Sequence, residues 1–395
     1  MRLVFVTHCH PDTPHVCATR MREFAAACAR AGHQVVLLTE TLPDCAADLG
    51  PAEVPAALAA HDWAMPFRLA CAPMGNRLVA ALREGRVPRA LRRPLLAAAY
   101  LIRSGLFTDW RDGSAPYWPV LARHFHPDCI WANFGNTDSL AIARGIAKAA
   151  GCRWVMDIKD PWSVFIPPPL RRLLVGRFAD FAAATALSAQ HAADLRDWFG
   201  RDALVLPSGI DALLLAPLPA PPGDLTRLLV IGGLYNGVHL DALLDGIARW
   251  RSGVAGPVAL TYAGGEAARF QAAARHLGLI VETPGYLDLE ELRALAGSSH
   301  ALLYVRNPAA LYQHKLVELL AFERPILCLP AEASEAIAMA AELGGTLHSC
   351  GDAGALALGL GELVGRRAAI NRDKLDGYTW DVQARKLVTV LEGAA

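Results

Sequence analysis

The chain has 395 residues, 53% of them hydrophobic and 19% charged; at about 150 residues per domain this predicts two domains, or three, with large cores, and excludes disorder as the main state. Lysine plus arginine and aspartate plus glutamate each total 38, for a net charge of +0, which argues against a global nucleic-acid binder, since that function needs a basic excess against phosphates. Nine cysteines, an odd count with no Cys-x-x-Cys spacing, argue against a disulfide scaffold or a structural zinc site and point to a reducing compartment.

The opening run Arg2-Leu3-Val4-Phe5-Val6-Thr7 ends at His8, too short for a secretory leader. No stretch reaches the roughly 20 apolar residues of a membrane span; the closest, 94–102, is stopped by Arg103. A cytoplasmic protein is expected.

In chain order, residues 2–7 read as a buried strand, short and apolar with β-branched residues. A Pro- and His-rich loop follows over 8–15. Residues 19–31 predict a helix with Met21, Phe24, Ala25 and Cys28 on one face, stopped by Gly32. Residues 34–39 predict a second buried strand. Strand, helix and strand within about 40 residues make a βαβ unit and imply a parallel sheet. The theme recurs: strand 129–132, helix 139–150, strand 153–157, then short strands at 185–188 and 203–206 around a helix. Between 213 and 226, Pro217, Pro219, Pro221, Pro222 and Gly223 read as a linker, because proline removes backbone donors and disfavours helix before it. Alternation then restarts with strand 227–231, helix 240–251, strand 258–263 and helix 267–277. Segments at 280–283, 289–296, 301–305, 316–322 and 325–329 continue it. The expected fold class is α/β, two Rossmann-like doubly wound domains facing each other across a cleft, with ligands at the carboxyl ends of strands.

Several segments, in order, carry a family resemblance. They are the first βαβ with Pro11, Asp12 and Arg20, the run Asp157-Ile158-Lys159-Asp160-Pro161-Trp162, and the turn Pro207-Ser208-Gly209-Ile210-Asp211. In the second half they are Gly232-Gly233-Leu234-Tyr235, Gly264-Gly265-Glu266, Pro284-Gly285-Tyr286, and Lys315-Leu316-Val317-Glu318 followed by Arg324-Pro325. Tyr378-Thr379-Trp380 with its helix closes the series. Together they resemble GT-B glycosyltransferases of the family 4 type, in an exopolysaccharide-associated branch. The resemblance implies an acceptor-binding domain over 1–206 plus a crossing helix 378–395, and a nucleotide-sugar domain over 207–377. It implies a transferase that moves sugar from a UDP- or GDP-linked donor to a sugar or lipid-linked hydroxyl, with retention and without a metal or other cofactor.

The physics of these positions suits that reading. Gly232-Gly233 and Gly264-Gly265 each follow a strand and open a helix, where backbone N–H groups and the helix dipole favour a pyrophosphate; an ordinary βα turn looks the same from sequence. Glu318 is placed to accept ribose hydroxyls, or is simply a first-turn glutamate. Lys315, three residues earlier, and Arg306 are candidate cations for the departing diphosphate. Tyr235, Tyr286 and Leu316 complete the donor set implied by the resemblance. One departure stands out: Ala310 occupies the position of the family's usual first glutamate, followed by Tyr312-Gln313-His314 in place of a glycine-rich turn, and the first glycine loop has only His239 as a basic neighbour.

On the acceptor side, His8, His10, Asp12 and His15 cluster after the first strand, and the resemblance counts Arg20 among the acceptor contacts. Cys9 and Cys17 lie close by, but the spacing matches no known ligand set, so no metal is expected. Asp157 and Asp160 end a strand; a carboxylate there either deprotonates an acceptor hydroxyl or caps the turn before Pro161. Trp162 is a sugar platform or core. Between 77 and 103, Arg77, Arg83, Arg86, Arg89, Arg92, Arg93 and Arg103 face a single acid, Glu84, with interleaved leucines and alanines. This is an anionic-membrane contact or a solvated helix face. Two other functions compete: a degenerate GT-B binding subunit without turnover, motivated by Ala310, and a nucleotide-sugar epimerase.

Overall fold

A computed structural model describes residues 1–223, 225–275, 278, 280–307 and 315–395. The chain divides into two compact units: unit 1 is Met1–Gly209 with Trp380–Ala395, and unit 2 is Ile210–Thr379.

Unit 1 carries β1 (Arg2–Val6), β2 (Gln34–Glu40), β3 (Phe67–Cys71), β4 (Cys129–Asn133), β5 (Arg153–Ile158), β6 (Ala183–Ala186) and β7 (Leu204–Val205), ordered β3-β2-β1-β4-β5-β6-β7. The pairings are parallel, with Leu3 opposite Val35 on one side and Cys129 on the other. Side chains alternate across a strand, so the run Leu3-Val4-Phe5-Val6 feeds two cores. Val4 and Val6 join Ile130, Ala132 and Met156 on one face. Leu3 and Phe5 join Trp131, Val155 and Phe24 on the other. The C-terminal helix Trp380–Ala394 closes the second core, with the Trp380 ring edge-on to Phe24 at 5.4 Å.

Unit 2 carries β8 (Thr226–Ile231), β9 (Val258–Ala263), β10 (Ile280–Gly285), β11 (Ala301–Val305), β12 (Ile326–Leu329) and β13 (Leu347–Ser349), ordered β10-β9-β8-β11-β12-β13. In both sheets the chain reverses direction beside the first strand, at β1/β4 and β8/β11. Open α/β sheets bind ligands at such switch points, beyond the carboxyl ends of the strands. The expected doubly wound α/β sheets are therefore present.

Three sequence expectations need correction. The first helix begins at Val16, not 19, because the His15 ring accepts the Cys17 N–H and caps the turn. The strand expected over 185–188 is Ala183–Ala186, since Ser188 caps the helix Ala189–Phe199. The proline-rich segment is not a free linker. Leu214 and Leu218 are buried, and its carbonyls accept from arginines of unit 2: Ala216 from Arg293 at 3.0 Å, Leu215 from Arg372 and Pro219 from Arg324. Proline keeps its acceptor when it loses its donor. The chain passes between units at Gly209–Ile210 and Thr379–Trp380 instead.

Candidate functional site

In unit 2 the two glycine loops are brought together at the ends of adjacent strands. Gly232, at φ +95°, donates its N–H to Ala263 at 3.0 Å, and Gly264 donates to Gly285 at 2.9 Å. The Tyr262 hydroxyl ties the pair by donating to the Gly232 carbonyl at 2.8 Å. A Cβ on Gly264 would stand 2.3 Å from that hydroxyl and 2.6 Å from the Gly232 oxygen, so only glycine fits. The helices Gly237–Ser252 and Ala267–Ala274 start just beyond. The first is capped by Asn236, which accepts from Val238 at 2.9 Å. Glu266 accepts the Leu234 N–H at 2.8 Å and pairs with Arg269 at 2.6 Å. The N–H groups of Gly232, Leu234, Val238 and Gly264 are thus spent within the loops, and the backbone at Gly233 and Gly265, with the two helix starts, is what would favour a diphosphate.

Sequence reasoning missed Arg269. Its Nη2 lies 3.8 Å from where a Gly237 Cβ would stand, so the second helix brings a guanidinium beside the first glycine loop, where its charge is paired with Glu266. No sequence spacing announces this, because Gly232 and Gly264 are 32 residues apart. Tyr235, half-exposed at φ +40°, and Tyr286, 61% exposed beyond Gly285, are available side chains beside these loops. His239 begins the first helix with a buried Nδ1 that has no partner among the described residues.

Lys315 precedes the helix Leu316–Ala321, and Glu318 lies in its first turn. Burial pushes the Glu318 carboxyl above the usual carboxylate range, against the pull of the Lys315 ammonium, while Asp211 adds to the rise. Neither the Lys315 nor the Glu318 side chain makes a hydrogen bond or ion pair among the described residues. Two other members of the donor set read differently in the structure. Leu316 puts its side chain in the core, at 0% exposure. Arg306 ends β11 with its guanidinium 3.1 Å from Glu332 and 3.0 Å from the Ala331 carbonyl, so its charge is already matched. Ala310, Tyr312, Gln313 and His314 lie outside the described residues.

In unit 1 the carboxyl ends of β1, β4 and β5 hold a buried polar network. Asp157 accepts from Arg20 Nη2 at 2.8 Å, Thr185 Oγ1 at 2.7 Å and Asn133 Nδ2 at 2.8 Å. Arg20 and Asp157 are both fully buried. This corrects the reading of Asp157 as a base and of Arg20 as an acceptor contact, because both are saturated inside the core. Trp162 is likewise core, at 0% exposure and 5.1 Å from the Phe134 ring, and not a platform. Asp160 stays partly accessible and pairs with the buried Lys159 at 2.5 Å. Burial raises its carboxyl, and Lys159 opposes the rise.

In the loop after β1, His10 accepts the Asp12 N–H at 3.3 Å, and Asp12 pairs with Arg68 at 3.3 Å. His15 caps the helix and is exposed. Cys9 and Cys17 stand beside Lys159; the interaction of the two thiols, aided by the Lys159 charge, holds Cys17 well below its ordinary value, while the same interaction and burial push Cys9 up against the pull of Lys159. The sequence signal for this cluster was present in the loop, but not the pairing.

The basic stretch forms the helices Arg77–Arg83 and Arg89–Arg103. Arg83 does not belong to a surface face: it pairs with Glu40 at 2.7 Å and Asp109 at 3.1 Å. Arg103 pairs with Asp112 at 2.6 Å. The second helix has no buried residue, and Leu91, Leu101 and Ile102 are exposed beside Arg89, Arg92 and Arg93. Among the described residues no helix is long and apolar enough to cross a membrane.

No protein-family model and no curated protein matches the chain. Solved structures do. The HepE protein of Anabaena, in complex with UDP and glucose, is 15% identical with a TM-score of 0.60, each chain covered in full. WaaB, a lipopolysaccharide outer core galactosyltransferase, is 12% identical with a TM-score of 0.62, again with full coverage of both. A UDP-N-acetylglucosamine 2-epimerase of Listeria monocytogenes is 13% identical with a TM-score of 0.56, covering 99% of this chain and 95% of its own. The fold is that of the GT-B glycosyltransferases.

Proposed function

We propose that this chain is a glycosyltransferase that takes a sugar from a UDP- or GDP-linked donor held by unit 2 and passes it to a hydroxyl of a sugar or lipid-linked acceptor bound by unit 1. The observation that carries this is the pair of glycine loops locked together by Tyr262, with helix starts and Arg269 beside them. Amide dipoles and a nearby cation stabilise a diphosphate without a metal, and they favour the additional negative charge that develops on it as the sugar departs. Lys315 and the backbone N–H groups of Gly233 and Gly265 take the diphosphate, with Gly232 and Gly264 shaping the two turns, Glu318 takes the ribose hydroxyls, and Tyr235 and Tyr286 flank the nucleotide. His10, Asp12 and Asp160 face the acceptor, with Asp160 the base that takes its proton. Transfer proceeds with retention, in the cytoplasm, and the helix Arg89–Arg103 rests on anionic lipid.

The test is transfer and hydrolysis assayed with a panel of UDP and GDP sugars, comparing the wild type with Glu318→Ala. Turnover in the wild type and its loss in the variant support the reading; equal activity in both removes Glu318 from the site. Interconversion of the donor sugar without transfer would instead favour the epimerase reading, which the Listeria neighbour motivates. Nucleotide binding with no turnover on any donor would favour a binding subunit.

A further inference from the structure

Three ligand-type side chains meet at the carboxyl end of β1. His8 and Cys9 follow the strand, Cys17 sits in the first turn of the helix Val16–Arg30, and one donor atom from each lies within 4.8 Å of the others. His8 Nε2 is 3.3 Å from Cys9 Sγ. An ion in tetrahedral geometry, with bonds of about 2.0 Å to nitrogen and about 2.3 Å to sulfur, sets its nitrogen and sulfur ligands about 3.5 Å apart. The ring and the thiol therefore already stand near a ligand-to-ligand spacing.

His8 has no other hydrogen-bonding task. Its Nδ1 is buried and without a partner among the described residues, and a Gly135 Cβ would press on the ring at 2.6 Å. The Cys17 thiol is braced, with Sγ 3.4 Å from Thr7 Oγ1 and 3.2 Å from Asn133 Oδ1, and the Cys9 backbone is held by its N–H donating to Thr7 Oγ1 at 3.4 Å while its Sγ lies 3.6 Å from His15 Nδ1. Oriented ligands backed by polar groups are what a metal site needs.

We propose that His8, Cys9 and Cys17 bind one divalent ion of the zinc class, with a fourth position open to water. Two sulfurs and an imidazole select zinc over magnesium, calcium or manganese, which prefer oxygen. Loading forms two metal–sulfur bonds and releases to solvent whichever S–H protons the two cysteines still carry. The two thiolates neutralise the ion, and it ties the loop after β1 to the helix that follows. The site does not depend on the transferase reading, whose chemistry uses no metal.

The test adds Co²⁺, as a coloured stand-in for Zn²⁺, to the reduced, metal-stripped full chain. About one equivalent should bind with sulfur-to-metal charge-transfer absorption and the visible bands of a tetrahedral site, and Zn²⁺ should bleach both. Cys9→Ser should weaken binding about tenfold or more and lower the charge-transfer band. His8→Ala should weaken binding to a similar extent while keeping that band. Cys45→Ser, at an exposed thiol, should change nothing. Absence of a charge-transfer band in the wild type, an undiminished band in Cys9→Ser, or equal loss in Cys45→Ser would each overturn the proposal.

Discussion

Arg20 and Asp157 form a two-pronged ion pair with neither side chain exposed: Nε to Oδ2 at 3.1 Å and Nη2 to Oδ1 at 2.8 Å. The pair joins the helix Val16–Arg30 to β5, and Arg20 also reaches the Leu206 carbonyl at 3.0 Å. Removing one partner leaves the other charge buried and unmatched, which typically costs about 3–5 kcal/mol. Arg20→Ala should lower the unfolding free energy by about that much in urea titrations. A loss below about 1 kcal/mol would mean the pair is solvated and not closed.

Gly264 should tolerate no side chain. The Tyr262 ring is stacked on Phe270 at 4.7 Å and 14°, so it cannot swing away from an added methyl. Gly264→Ala should cost about 1–3 kcal/mol through overpacking and weaken nucleotide binding. Tyr262→Phe removes the clashing oxygen, so the double variant should recover part of the loss. Strictly additive losses in that cycle would show that the two positions are not coupled.

UDP or GDP should raise thermal stability, since a ligand that binds only the native state adds about 2.7 kcal/mol at a hundredfold excess over Kd. Glu318→Ala should weaken that binding by about 1.5–3 kcal/mol, the range for hydrogen bonds to a charged group. An identical nucleotide shift in wild type and variant would place the ribose elsewhere.

Acid should destabilise unit 1 through His191. Its ring is 2% exposed and bonded to Ser188 Oγ at 2.9 Å, and burial, aided by the Lys159 charge, lowers it from 6.5 to about 4. The unfolded chain then binds a proton more readily than the folded one, so stability rises with pH across this window. The contribution is fully present above pH 6.5 and lost as pH falls to about 4. The shift corresponds to about 3 kcal/mol. His191→Gln should flatten the fall of the melting temperature over that range; an unchanged slope would exclude His191 as its source.

Reversing charge at Arg89, Arg92 and Arg93 should abolish recovery of the protein with anionic vesicles in flotation, while neutral vesicles recover neither form. These arginines sit on a helix with no buried residue, so the folded protein should be unharmed. Undiminished flotation of the variant would discard the membrane contact.

Strand-and-helix alternation was legible because buried parallel strands such as 34–39 and 258–263 are continuous apolar runs. Shorter edge elements were not. The β3 segment carries Arg68 in its middle, and β13 is three residues with half-buried side chains. A strand at a sheet edge needs apolar residues on fewer sides, and its signal weakens accordingly.

The glycine loops were legible as positions, but their union through Tyr262 was not. The reading of Asp157 and Trp162 failed because the end of a strand looks alike from sequence whether its side chain meets solvent or the core. Arg269 was invisible because the loop it approaches belongs to another segment, whereas the His8, Cys9 and Cys17 group was legible along the chain and only the close approach of its donor atoms was not.

Apolar periodicity and glycine placement, read along the chain, determined that this protein folds as doubly wound α/β units with glycine turns at strand ends. Which polar side chains are spent inside the fold and which are left for a ligand was decided only by tertiary structure. Local propensity acts over a few residues. The desolvation of a charge such as Asp157 depends on Arg20, 137 residues away in sequence and 2.8 Å away in space.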